Sequence, residues 1–132
     1  MATAERDTDA KRFIAETDGG NIYIHRGNGI GSAIVFQAVI DGKTVGSLAP
    51  NTYLLAKVPT GSHSISVTSN ENSEQMTIKV EPKGNYFLKV TPAMGFGSAR
   101  VHLSSVSEEQ GKKDVAHSKL ALGNGGDAST KL

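Results

Sequence analysis

The chain contains no cysteine, which removes disulfides, thiolate nucleophiles and cysteine-ligated metals together. It has no tryptophan, and aromatic residues make up only 5% of it, so its core must be built mainly from Ile, Val and Leu. No apolar run approaches the roughly 20 residues that a helix needs to cross a bilayer. Neither sign of charge dominates: 14 basic against 13 acidic residues leave a net charge of +1. A nucleic-acid partner calls for a basic excess gathered into a patch, and neither is present, so nucleic acid is not an expected partner. Met1-Ala2-Thr3-Ala4-Glu5-Arg6 is polar from the start, unlike a signal peptide. A β-rich chain without cysteine suits a bacterial exported domain better than a eukaryotic extracellular one.

What the sequence does have is turn chemistry and strict alternation. Its 132 residues fit one domain, and a domain of that size buries roughly two-thirds of its unfolded surface without needing a metal or disulfide. Asp41-Gly42 stands between Ala38-Val39-Ile40 and Lys43-Thr44-Val45, the strongest short-range signal for a hairpin. Pro59-Thr60-Gly61 then leads into Ser62-His63-Ser64-Ile65-Ser66-Val67-Thr68. Alternation of this kind puts one strand face in water and the other on a core.

The same reading places further strands at Asn21 to Arg26, from about Ala33 to Asp41, at Lys43 to Leu48 and at Thr52 to Val58. Others follow with Met76, Ile78 and Val80 on a buried face, then from Tyr86 to Thr91, and from Ala99 to Val106. Residues 92–97 read as a loop. About eight short strands at regular spacing point to a sandwich or barrel. The period then changes. Ser107-Glu108-Glu109-Gln110 is a capping-box pattern, and Val115, Ala116, Leu120 and Leu122 form a narrow apolar stripe. Gly111 weakens such a helix by about 1 kcal/mol relative to Ala, and Gly123 is a natural stop.

The candidates for chemistry are few. Gly27-Asn28-Gly29-Ile30-Gly31 satisfies neither glycine-rich nucleotide fingerprint and precedes a strand rather than a helix, so it reads as a hairpin loop. His25, His63, His102 and His117 lie at no metal-ligand spacing from one another, so no metal and no other cofactor is expected. No Ser sits in a nucleophile elbow, and no catalytic residue is assigned. His63 shares its strand face with Ile65 and Val67 beside a turn and is one binding candidate. The plainer alternative is a half-buried histidine bonded to backbone. Met94-Gly95-Phe96-Gly97 places apolar residues where a connection is usually polar. Met94 and Phe96 are therefore candidates for an exposed contact site, or else Phe96 folds back to cap the end of the sandwich.

A set of motifs follows in order along the chain: Asp9-Ala-Lys-Arg-Phe13, Asn21-Ile-Tyr-Ile-His-Arg26, Asp41-Gly-Lys43, Gly46-Ser-Leu-Ala-Pro-Asn-Thr-Tyr53, Pro59-Thr-Gly-Ser-His63, Asn85-Tyr-Phe87 and Met94-Gly-Phe96. The whole resembles the small bacterial envelope lipoproteins that carry an uncharacterised β-rich domain, across nearly all of residues 9–122. More loosely, the Asp-Gly-Lys hairpin and the following Pro-x-Gly-x-His resemble PEGA domains, with Thr60 and Ser62 where that motif has Glu and Ala. The lipoprotein resemblance implies a signal peptide and an acylated cysteine upstream of Ala2. It also implies a position on the periplasmic face of the envelope, with residues 2–18 as the leash. It supplies no catalytic residues.

Together these readings predict an all-β chain: a mainly antiparallel sandwich of about seven or eight strands with a short C-terminal helix. Residues 1–18 form a polar tether, 19–122 the sandwich with its helix at about 108–122, and 123–132 a disordered tail. The expected function is that of a non-enzymatic envelope module with an interaction or structural role. An envelope protein is its expected partner, and its only link to the membrane is the lipid anchor. A periplasmic carrier of small ligands or glycans is the alternative. Open sheet edges allow a monomer or a weak dimer.

Overall fold

The computed structural model describes residues 18–26, 36–49, 51–69, 73–94, 99–120, 122–123, 126–127 and 129–131. Residues 1–17 of the tether, the Gly27–Gly31 loop and Phe96 lie outside the described residues. Eight main strands run in chain order: β1 (Gly19–Arg26), β2 (Phe36–Ile40), β3 (Lys43–Leu48), β4 (Thr52–Pro59), β5 (Gly61–Thr68), β6 (Ser73–Val80), β7 (Asn85–Met94) and β8 (Ala99–Val106). A helix, α1 (Glu108–Ala116), follows, then the short strands β9 (Lys119–Leu120), β10 (Leu122–Gly123), β11 (Gly126–Asp127) and β12 (Ser129–Lys131). The first sheet has the order β12-β4-β1-β7-β8, with β9 also on β4, and the second the order β11-β10-β3-β2-β5-β6. The expected all-β sandwich with one short C-terminal helix is the observed architecture.

Alternation explains the second sheet. His63, Ile65 and Val67 are buried while the serines between them are not, and Phe36, Ala38 and Ile40 repeat the pattern on β2. The outer face is therefore a solvated surface of hydroxyls and amides, with bonds such as Gln75 Nε2 to Ser64 Oγ at 2.7 Å. The Asp41-Gly42 hairpin forms as expected, with φ of 51° and 82°, the doubly positive pair of a type I′ turn.

The first sheet is buried on both faces at its centre, along β1. Every residue of β1 is buried, because β4 and β7 flank it and both faces are covered. One face carries Ile22, Ile24 and Arg26 into the space between the sheets. There the Arg26 guanidinium donates to the Leu48 carbonyl at 2.9 Å and lies 4.5 Å over the Phe36 ring, a buried cation–π contact. The other face carries Asn21, Tyr23 and His25 towards α1. Tyr23 stacks on Phe87 with ring centroids 5.0 Å apart.

The helix begins as its sequence indicates, with Ser107 Oγ accepting from the Gln110 amide at 3.2 Å. Its Gly111 has a packing reason as well as a propensity cost. A Cβ there would overlap Cβ and Cγ of Phe87, so only glycine lets α1 approach the first sheet this closely. Val115 is the other buried residue of the helix.

Four features go beyond the sequence reading or differ from it. Within the mainly antiparallel sandwich, β1 pairs with β7 in parallel, Asn21 opposite Asn85 through Arg26 opposite Val90. The long crossover that a parallel pair requires is supplied by β2 to β6. Secondly, β7 continues through Pro92 to Met94, paired with Val101 to Ala99. The β1 ladder ends at Val90, so Pro92 sits where an unpaired strand side tolerates proline. Thirdly, the helix stops at Ala116, not near 122, because Ser118 Oγ takes the Asp114 carbonyl at 2.8 Å and His117 Nδ1 the Lys113 carbonyl at 3.0 Å. Side chains that capture backbone carbonyls in this way compete with helix continuation. Finally, parts of the expected tail are strands, Ser129–Lys131 lying parallel to Leu55–Lys57 on the open edge of β4.

Candidate functional site

Of the three binding candidates, His63 is the one whose side chain is described. Its Nδ1 lies 2.5 Å from Asp41 Oδ2 and its Nε2 lies 2.8 Å from the Pro59 carbonyl. Both partners are acceptors, so the ring donates at both nitrogens and is the charged imidazolium. Burial pulls its pKa down, but the hydrogen bonds to Asp41 and Pro59 and the Asp41 charge outweigh that, and the net shift is upward. Asp41 is held below its usual range by the His63 bond first, then by the Ser64 amide, which donates to Oδ1 at 2.9 Å. The pair ties the β2–β3 hairpin to the β4–β5 turn, and both ring nitrogens are occupied within the protein. Met94 closes β7 opposite Ala99, well removed along the chain from His63, while Phe96 lies outside the described residues.

The more open chemistry is on the other sheet. His25 on β1 is 1% exposed and stands opposite Lys89 of β7 in the ladder. Its Nε2 lies 3.0 Å from Asp114 Oδ2 on α1. A carboxylate accepts, so Nε2 carries the proton and the neutral ring keeps a bare lone pair on Nδ1. That Nδ1 is buried with no hydrogen-bond partner among the described residues. Desolvation by burial lowers the His25 pKa; Asp114 opposes this and Lys89 adds to it, leaving the net shift downward.

Above His25 opens a cleft of about 340 Å³. Asn51 enters it from the turn before β4, Lys89 from β7, and Lys113, Asp114 and His117 from the end of α1, with Ser118 beside them. Asn51 takes a φ of 63°, a left-handed conformation that Asn tolerates better than most residues, and this sets it at the rim. The cleft thus depends on helix docking, and helix docking depends on Gly111.

Sequence reasoning missed this place. His25 and Asp114 are 89 residues apart, and no local pattern pairs them. The usable signal was indirect: Asn21-Ile-Tyr-Ile-His-Arg26 is apolar or aromatic on both faces, so its outer face needed a cover, and the capped helix was the one element free to supply it.

Fold and cleft define a small all-β sandwich module with a C-terminal helix docked on one outer face. The chain belongs to the family described as "Protein of unknown function (DUF2846)", whose model matches residues 16–104. It is also similar to an "Uncharacterized protein" of Haemophilus influenzae, 32% identical over 123 residues, which cover 92% of this chain and 73% of that one. No solved structure matches the chain. The family match spans β1 to most of β8 and ends before α1, so the helix wall of the cleft lies beyond it.

Proposed function

We propose that this is a non-enzymatic module of the bacterial cell envelope, tethered at its N-terminus, with an interaction or structural role. One observation carries the non-enzymatic part of the reading. The buried histidines are each committed to a carboxylate that joins two elements, His63 to the Asp41 hairpin and His25 to α1, rather than converged on a common reacting point. The envelope part is supported by the resemblance of the ordered motifs to those of envelope lipoproteins and by the polar composition of residues 2–18. Labelling cells that carry the complete gene with a radioactive fatty acid, then fractionating them, tests this. The protein is expected in the envelope fraction with label attached. An unlabelled protein in the soluble cytosolic fraction overturns the tether. For the contact site, Met94→Ser with Phe96→Ser is expected to abolish binding to an envelope partner. A partner bound equally by the variant removes that site.

The second reading, a carrier of small ligands or glycans, is favoured by the cleft over His25. Binding to the native state raises apparent stability, so thermal-shift screening of sugars, lipids and phosphate esters is expected to find a stabilising compound. None stabilising would retire this reading.

A further inference from the structure

Lys89 and Lys113 stand out by their place, because both line one cleft. Lys112, one residue away, lies 3.5 Å from Glu108, and Lys79 lies 3.8 Å from Glu81. Neither Lys89 nor Lys113 forms an ion pair among the described residues, although both line the same cleft. Asp114 is the carboxylate beside them, and its oxygens are already engaged. Oδ2 takes the His25 proton at 3.0 Å and Oδ1 takes Gln110 Nε2 at 2.9 Å.

A helix C-terminus ordinarily disfavours an anion, because its last carbonyls point outward. Here they are covered. The Lys113 carbonyl accepts from His117 Nδ1, the Asp114 carbonyl from Ser118 Oγ, and the Val115 carbonyl from the Ser118 amide at 3.0 Å. Beside His25, Asp114, His117 and Ser118, whose bonds are given above, the cleft is lined by Lys89, Lys113 and Asn51, from three separate elements.

We propose that this cleft binds a small phosphate ester carrying a hydroxyl group, whose phosphate lies between Lys89 and Lys113. A planar carboxylate takes donors in its own plane, whereas a tetrahedral phosphate accepts from several directions and suits the compact charge of lysine. The hydroxyl follows from His25, which lines the cleft and whose Nδ1 lone pair lacks a donor among the described residues, at a cost in free energy; that nitrogen is closed to solvent in the free protein, so the ring turns towards the cleft to meet a ligand hydroxyl. This inference rests on the ligand-carrying reading and is independent of the tether. The same chemistry occurs in a phospholipid headgroup and in a soluble polyol phosphate.

The test is an amide NMR titration of the full chain with glycerol 1-phosphate, inorganic phosphate and glucose, beside sedimentation with phosphatidylglycerol vesicles. Glycerol 1-phosphate is expected to move the resonances of Lys89 and of Lys113 to Ser118, and to bind more tightly than inorganic phosphate. Lys89→Gln with Lys113→Gln should weaken it by at least roughly tenfold, the loss of charged hydrogen bonds, while Lys79→Gln leaves it unchanged. Capture by vesicles that the double variant abolishes, stronger than the soluble ester achieves, assigns the site to a lipid headgroup; the reverse assigns it to a soluble ester. If neither phosphate compound nor vesicles engage the cleft, or the double variant binds like the parent, the proposal is overturned. Glucose alone shifting the cleft would sink the phosphate and leave the carrier standing. Silence from every probe would remove both.

Discussion

His63–Asp41 and His25–Asp114 pair the same two side-chain types on opposite sheets, and they behave in opposite ways. In the first, the carboxylate is 43% exposed and the imidazole donates at both nitrogens, so the charged ring is favoured. In the second, the imidazole is 1% exposed with a bare Nδ1, and desolvation wins over the same kind of partner. A third pair, His102 with Glu74, spans β8 and β6 at the surface, the histidine side chain 65% exposed. Burial and the count of acceptors, not the identity of the partner, decide what a histidine contributes.

The largest expected effect breaks one pair and spares the other. Gly111→Ala forces a methyl into Phe87 and should destabilise the protein by roughly 1–3 kcal/mol, the range for overpacking. It should also lift Asp114 away from His25. Urea unfolding gives the first quantity. An imidazole NMR titration gives the second, with His25 changed and His63 unmoved; equal changes at both would undo the contrast.

Next comes Asp41→Ala, which removes a turn residue and two hydrogen bonds. It should cost about 1–2 kcal/mol after discounting for exposure, and the His63 titration should fall. Asp41→Asn keeps the left-handed turn and separates the charge from the backbone effect.

The pH dependence of stability sharpens the comparison by sign. His63 has its folded pKa raised above the ordinary 6.5, so its extra stability is fully present below that value and is lost as pH rises through the folded pKa. Asp41 is depressed below 3.8, so its part is present above that value and lost as pH falls through the folded pKa. His25 is lowered from 6.5, so below that pH the unfolded chain takes up a proton first and stability falls until the folded pKa is reached. Denaturation followed from pH 8 to pH 5 should therefore show that His63→Gln removes a loss on the alkaline side. His25→Leu should remove a loss on the acid side. Parallel curves for the two variants would contradict the assignment. Smallest of all, His102→Ala should change stability by less than about 0.5 kcal/mol, as surface pairs do.

Local chemistry made much of the fold legible. Asp41-Gly42, the Ser/Thr alternation around Ile65 and the Ser107 cap each act over a few residues, and each forms as its pattern implies. What stayed hidden depends on residues far apart. No local signal says that Asn21 runs parallel to Asn85, or that Phe87 waits under Gly111. The helix end was misjudged because the apolar stripe to Leu122 suggested continuation, while the carbonyl-capturing side chains of His117 and Ser118 were decisive. The cleft was illegible for the same reason as the His25–Asp114 pair: three elements distant in sequence build it.

The central place of β1 has a consequence for how the molecule is made. Its antiparallel neighbour β4 is soon synthesised, but its parallel neighbour β7 begins at Asn85, after five other strands have emerged. The first strand therefore passes most of chain elongation with one side open, and long-range pairing of this kind is slow. A nascent chain of this protein carries an unprotected apolar strand until its seventh strand is available, which makes the early product, rather than the finished one, the form most in need of a chaperone.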